Sequence, residues 1–293
     1  MGGMAAPERH GERIARFEVL PVGRSVREAQ ALEAPAHLTV TCSPRHGPDE
    51  SVATGRRLAE LGHTVTVHVA ARLVRDRAHL DALLDGMAQA GIEDLFLIGG
   101  DAPHPAGPYA AAGDLLPVVR EHPRAPRTIG IGGYPEGHPK IDDDTLLAAL
   151  VEKSEHADYI TTQLCFDPDA VIAWSDEIRR RGVTLPVLIG TPGAVDRIRL
   201  MKMALRLGIG TSLSFLRKQR GWWNLLGFPA SASDRVHDAL ESCLEDPRRN
   251  LAGFHYYTFN ELVDTWTWER DRHAGDPAPA GPGVPTREEQ QTP

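Results

Sequence analysis

Short apolar runs alternate with longer amphipathic segments along most of this chain. The runs fall at 16–20, 38–42, 64–70, 94–98, 128–132, 159–166, 186–190 and 252–258, and several are rich in the β-branched and aromatic residues that suit strands. Between them, 49–61, 75–90, 143–156, 167–181, 194–207 and 233–244 space their apolar residues three and four apart, the helical repeat. Start signals agree with that reading. Asp49 precedes one helical segment, Asp167-Pro168 places Pro at a first helical position, and Ser231 or Ser233 can cap the late helix. The connection 23–37 is short and leaves little room for a full helix.

Strands alternating with helices in this way predict an α/β fold, a single (β/α)8 TIM barrel. A doubly wound open sheet is the rival, weakened because no GxGxxG follows the first strand. The reading divides the chain into a flexible N-terminus at 1–13, a barrel catalytic domain at 14–273 and a disordered Pro/Gly-rich tail at 274–293. One long irregular stretch, 208–229, carries Arg217, Lys218 and Arg220, which serve equally well as a solvated face or a lid over the barrel mouth.

Composition narrows the partners. With 293 residues, 41% hydrophobic and 25% charged, the chain can bury an ordinary soluble core. A net charge of −8 argues against nucleic acid or an anionic membrane. Cys42, Cys165 and Cys243 show no metal or CxxC spacing, which suits a reducing cytoplasm. No apolar run approaches a membrane span or a signal peptide, so the expectation is a cytoplasmic protein; a homo-oligomer is left open.

In a barrel, ligands meet the carboxyl ends of the strands. The stretch DLFLIGGDAPHPAG shows such an end most plainly: a buried run, Gly99 and Gly100, then the Asp101 carboxylate and a Pro-bounded loop. The other ends supply Glu18, Thr41, His68, Tyr134, Glu136, His138 and Gln163. Nothing there has the spacing of a covalent triad or a phosphate loop. Glu18 stands in FEVLPV with apolar neighbours on both sides, the setting that raises a carboxyl pKa toward a useful proton donor; a pair with Arg16 or Arg24 is the bland alternative. Gln163 puts a donor and an acceptor in a strand that should be buried, matching the edge of a heterocycle or a core hydrogen bond. His68 alone reads as a core histidine, whereas His138 on its loop does not. Trp222, Trp223, Trp266, Trp268, Tyr256 and Tyr257 read first as core or interface residues.

Taken together, FEVLP, GGDAPHPAG, GYPEGHP, TTQLCFD, PVLIGTPG and FHYYTFN resemble, in order and spacing, the motifs of the methylenetetrahydrofolate reductases, over roughly residues 16 to 268. That resemblance implies a (β/α)8 barrel reducing 5,10-methylenetetrahydrofolate to 5-methyltetrahydrofolate with NAD(P)H through bound FAD. It implies Glu18 as the acid, Asp101 between flavin and folate, Gln163 as a folate contact, and Thr41, His68, Gly100, Tyr134 and His138 on the flavin surface. The departures lie mostly on the dinucleotide side. Gly99 stands where the family has Arg, Thr145 where it has Asp, and Glu152 (beside Lys153) where it has Lys; Val22 replaces a proline. Arg72, Arg217 and Lys218 are the cations placed to compensate. Two further readings follow from those departures: a folate enzyme with direct hydride transfer or another carrier, and a folate- or flavin-binding protein without turnover.

Overall fold

The computed structural model describes residues 14–194, 232–241, 244 and 246–273. Eight parallel strands close on themselves in sequence order: β1 (Ile14–Val19), β2 (His37–Val40), β3 (Thr64–Ala70), β4 (Asp94–Ile98), β5 (Thr128–Gly133), β6 (Tyr159–Thr162), β7 (Val187–Pro192) and β8 (Leu251–Tyr257). The described helices are α1 (Gly23–Gln30), α2 (Pro48–Glu60), α3 (Arg77–Gln89), α4 (Ala112–Arg120), α5 (Asp143–Ser154), α6 (Pro168–Arg180), α7 (Ala232–Glu241) and α8 (Leu262–Arg272). The closed order β1 to β8 excludes the open-sheet rival. Both tails, the helix expected at 194–207, the stretch 208–229 with its basic cluster, Trp222, Trp223, Ser231 and Cys243 lie outside the described residues. Among the described residues, no helix is long and apolar enough to cross a membrane.

Alternation along each strand sorts the side chains. Val19, Val40, Val67, Leu95, Ile129, Ile160 and Ile189 face outward into the main core, where Leu58, Leu84, Leu115, Val171 and Ile178 from the helices cover them. Several element ends differ from the sequence reading for local reasons. Asp49 does not cap α2; Gly47 occupies that position, Pro48 is at the first turn and Asp49 lies inside it. Asp167 does cap α6, accepting from the N–H groups of Asp169 and Ala170. The connection 23–37 holds a helix after all, the eight-residue α1. Strand β6 stops at Thr162 rather than 166; past it the N–H groups of Gln163 and Cys165 still reach the Gly133 and Gly190 carbonyls of the neighbouring strands, whereas those of Phe166 and Asp167 turn to the Glu136 side chain.

Inside the barrel, Phe96, Tyr159 and Leu188 form a small apolar cluster with Ile14, Ile98 and Ala252 packed against it. Beside them Arg16, 1% exposed, pairs with Asp94 at 2.9 Å, and the same carboxylate accepts from Thr66 at 2.8 Å and Tyr159 at 2.9 Å. His37 reaches Thr66 at 2.7 Å. The network needs Gly130: a Cβ there would lie 2.2 Å from the Tyr159 ring, so only glycine admits the tyrosine. Burial, with Arg16 and His255 nearby, holds the His37 imidazole well below its ordinary pKa, so the network keeps one ion pair and a neutral ring.

Candidate active site

At their carboxyl ends the strands deliver a second polar cluster. Glu18 follows Arg16 on the inward face of β1, and its side chain is 19% exposed. It pairs with neither Arg16, which is committed to Asp94, nor Arg24, which reaches Glu28 and Glu261. Its Oε2 lies 3.4 Å from His255 Nε2, and its backbone carbonyl accepts from the Thr258 hydroxyl at 2.6 Å. The histidine is 2% exposed and its Nδ1 has no partner. Period-two reading of FHYYTF puts His255 and Tyr257 inside and Tyr256 outside, where it stacks on Phe17 and meets His237. Sequence reasoning missed His255; its alternation with Tyr257 was the available signal.

Tyr257 ties the rim together. Its hydroxyl donates to the Thr162 carbonyl at 3.2 Å, beside Gln163. Burial first, then the charges of Glu18, Cys165 and Tyr134, push that phenol well above its usual pKa. Tyr134 and His138 meet edge-to-face at 5.4 Å. Asp101 is exposed and acts on both: burial and then its charge raise Tyr134, while burial lowers His138 against the pull of the same carboxylate. Gln163, half-buried, donates from Nε2 to the Gly137 carbonyl at 3.0 Å. Glu18 near the end of β1, Asp101 in the turn after β4 and Gln163 directly after β6 all lie at the carboxyl ends of their strands.

Thr41 directly follows β2, and His68 lies two residues before the end of β3. Thr41 Oγ1 and His68 Nε2 are buried without partners, as are Thr39 Oγ1 and Thr191 Oγ1. His68 rests on Phe96 at 4.7 Å, and burial, helped by His255 and Arg16, keeps its ring neutral. Gly100 has φ +91°, and a Cβ there would meet that of Ala70 at 2.8 Å, so the loop bends sharply against β3. Arg72 fixes this loop: its guanidinium donates to the carbonyls of Ala102, Pro103 and Ala110 at 2.7, 2.9 and 2.9 Å. Three of its five N–H groups are thus engaged by protein carbonyls, while its positive charge has no acidic partner in these contacts. Arg217 and Lys218 lie outside the described residues.

Glu136 is the other residue that sequence reading named without a role. It is 7% exposed; Oε1 accepts from the N–H groups of Phe166 and Asp167, and Oε2 has no partner. Burial outweighs those two donors and pushes its pKa up to about 7, with Asp167 adding to the rise. A carboxyl raised on folding costs nothing below its unfolded pKa of 4.5, and stability is lost as pH rises through 7. Glu136→Gln, which keeps an acceptor oxygen, is expected to gain on wild type between pH 5 and pH 8 by on the order of 2–3 kcal/mol. Urea denaturation at both pH values checks this; a pH-independent difference would refute it.

Comparison with known proteins bears on this geometry. A family model described as methylenetetrahydrofolate reductase matches residues 23–204, more than half of the chain. The protein named methylenetetrahydrofolate reductase 1 of Schizosaccharomyces pombe is 30% identical over 119 residues, 38% of this chain and 20% of that protein. Methylenetetrahydrofolate reductase 2 of Saccharomyces cerevisiae is 27% identical over 168 residues, covering 54% and 25%. Methylenetetrahydrofolate reductase (NADH) 1 of Arabidopsis thaliana is 26% identical over 207 residues, covering 62% and 33%. The matched part thus spans between a fifth and a third of the length of these curated relatives.

Proposed function

We propose, from the premise that this chain belongs to the methylenetetrahydrofolate reductase family, that it reduces 5,10-methylenetetrahydrofolate to 5-methyltetrahydrofolate with NAD(P)H at the carboxyl rim of the barrel. The observation that carries the reading is the half-buried Glu18 carboxyl beside His255, on the same rim as Asp101 and Gln163. A proton from Glu18 goes to the amine nitrogen that leaves as the five-membered ring opens, and the iminium carbon so formed accepts hydride. His255 holds the direction of that carboxyl. Gln163 offers its remaining amide groups to the edge of the pterin, and the exposed Asp101 carboxylate faces the same ligand from across the rim.

FAD fits one part of this site better than the other. Thr41, His68, Gly100, Tyr134 and His138 would hold its ring end, where two buried polar atoms, Thr41 Oγ1 and His68 Nε2, lack partners. Bound there, FAD would carry hydride between the nicotinamide and the folate. The phosphate end has less support: Gly99 brings no side chain, Arg72 is committed to three carbonyls, and Glu152 is exposed and of the wrong charge. That observation favours a second reading, in which the nicotinamide delivers hydride to the folate directly at this rim.

The absorbance spectrum and steady-state turnover of the purified protein separate the two. Flavin bands with folate-dependent NAD(P)H oxidation support the first. A colourless protein that oxidises NAD(P)H only when the folate is present supports the second. Absence of folate-dependent oxidation in both the isolated and the FAD-supplemented protein would overturn the function.

A further inference from the structure

We infer that Glu136 is a positioning residue that fixes which way the Gln163 amide faces, and so sets the polarity with which this site reads a heterocycle edge; the ligand class rests on the folate reading above. The loop 134–138 grips the segment 163–167 at two points. At one, the Glu136 carboxyl takes the N–H groups of Phe166 at 2.5 Å and Asp167 at 2.7 Å on a single oxygen. At the other, the Gly137 carbonyl takes the Gln163 Nε2–H at 3.0 Å. Between them the loop turns back on itself, with the Gly137 N–H on the Tyr134 carbonyl at 3.1 Å and Gly137 at φ +79°.

An amide is nearly symmetric in shape, so packing alone does not distinguish its oxygen from its nitrogen. Here the Gly137 carbonyl makes the distinction, because it accepts only from Nε2. Oε1, which has no partner among the described residues, and the second Nε2–H then remain for a ligand. That pair matches a lactam or amidine edge, which offers one donor beside one acceptor. Glu136 holds the carbonyl where it can make this choice. Its position carries a cost that packing does not explain: the side chain is 7% exposed and Oε2 is buried without a partner.

Two measurements test the role. In the ligand-free protein, exchange of the Gln163 side-chain amide protons, followed by NMR, is expected to show one slow and one fast proton in wild type and Glu136→Gln. Both are expected to be fast in Glu136→Ala. Equal rates in wild type, or no change in Glu136→Ala, would overturn the inference whatever the substrate proves to be. In turnover, Glu136→Ala is expected to raise KM for methylenetetrahydrofolate about tenfold, the cost of a misdirected hydrogen bond, with kcat changed less. Glu136→Gln should restore KM. Glu136→Asp, one methylene too short to reach both N–H groups, should behave like the alanine variant and serves if that variant fails to fold. The double variant Glu136→Ala/Gln163→Ala should be no worse in KM than Gln163→Ala alone. Multiplying effects would mean that Glu136 acts apart from Gln163 and would refute its role, whereas a wild type inactive on the folate counts against the proposed function and leaves the exchange result to decide this one.

Discussion

Replacing Glu18 by Gln is expected to lower folate turnover by about 10²–10⁴-fold, the range a positioned general acid contributes. The substitution keeps the side chain's shape and a hydrogen-bonding group toward His255 Nε2, 3.4 Å away, but an amide cannot deliver the proton. Folate affinity, measured by calorimetry, should change by less than about threefold, because Gln163 and Asp101 are untouched and the loss falls on the transition state alone. The melting temperature should stay close to wild type, since Glu18 is partly exposed and makes no contact with Arg16 or Arg24. A variant that retains full turnover would remove the acid assignment. A variant that loses affinity and turnover together would make Glu18 a binding group instead.

What was readable in the sequence follows from how local each signal is. The outward faces of the strands carry runs such as Leu95–Leu97 and Val65–Val69, so their existence and order show in the sequence. The bounds of β3 and β4 agree with those read from the runs 64–70 and 94–98. Helix α4 was missed because Pro117 sits inside it, and α8 because its pattern mixes Trp with charge. The strand-end residues could be named because each lies beside a turn signal, but their partners could not. Glu18 and His255 are 237 positions apart, and Gln163 and Gly137 are 26 apart. Pairing Glu18 with a nearby arginine was the natural local guess. It fails because Asp94, 78 positions from Arg16, takes that guanidinium deep in the barrel. Loss of the dinucleotide cation at Gly99 was visible in sequence, whereas only the fold shows that Arg72 is already engaged.

That buried pair sets the second large effect. Asp94→Asn is expected to destabilise the barrel by about 3–5 kcal/mol, read as a shift in the urea midpoint at unchanged slope. The carboxylate takes Arg16 at 2.9 Å, Thr66 at 2.8 Å and Tyr159 at 2.9 Å, so the neutral amide leaves a guanidinium that is 1% exposed without a counter-charge. The Asn nitrogen would also face donors from at least one of those partners. Against a total stability of about 5–15 kcal/mol, this is a large fraction. Arg16→Met combined with Asp94→Asn should recover at least half of the loss, because the unpaired charge is what costs most and the methionine can pack against Tyr159, whose ring now lies 4.3 Å from the Arg16 guanidinium carbon. A single variant within about 1 kcal/mol of wild type would show that water reaches Arg16 from the amino-terminal mouth of the barrel. A double variant worse than the single would show that the guanidinium stabilises through its contact with Tyr159 as well as through Asp94.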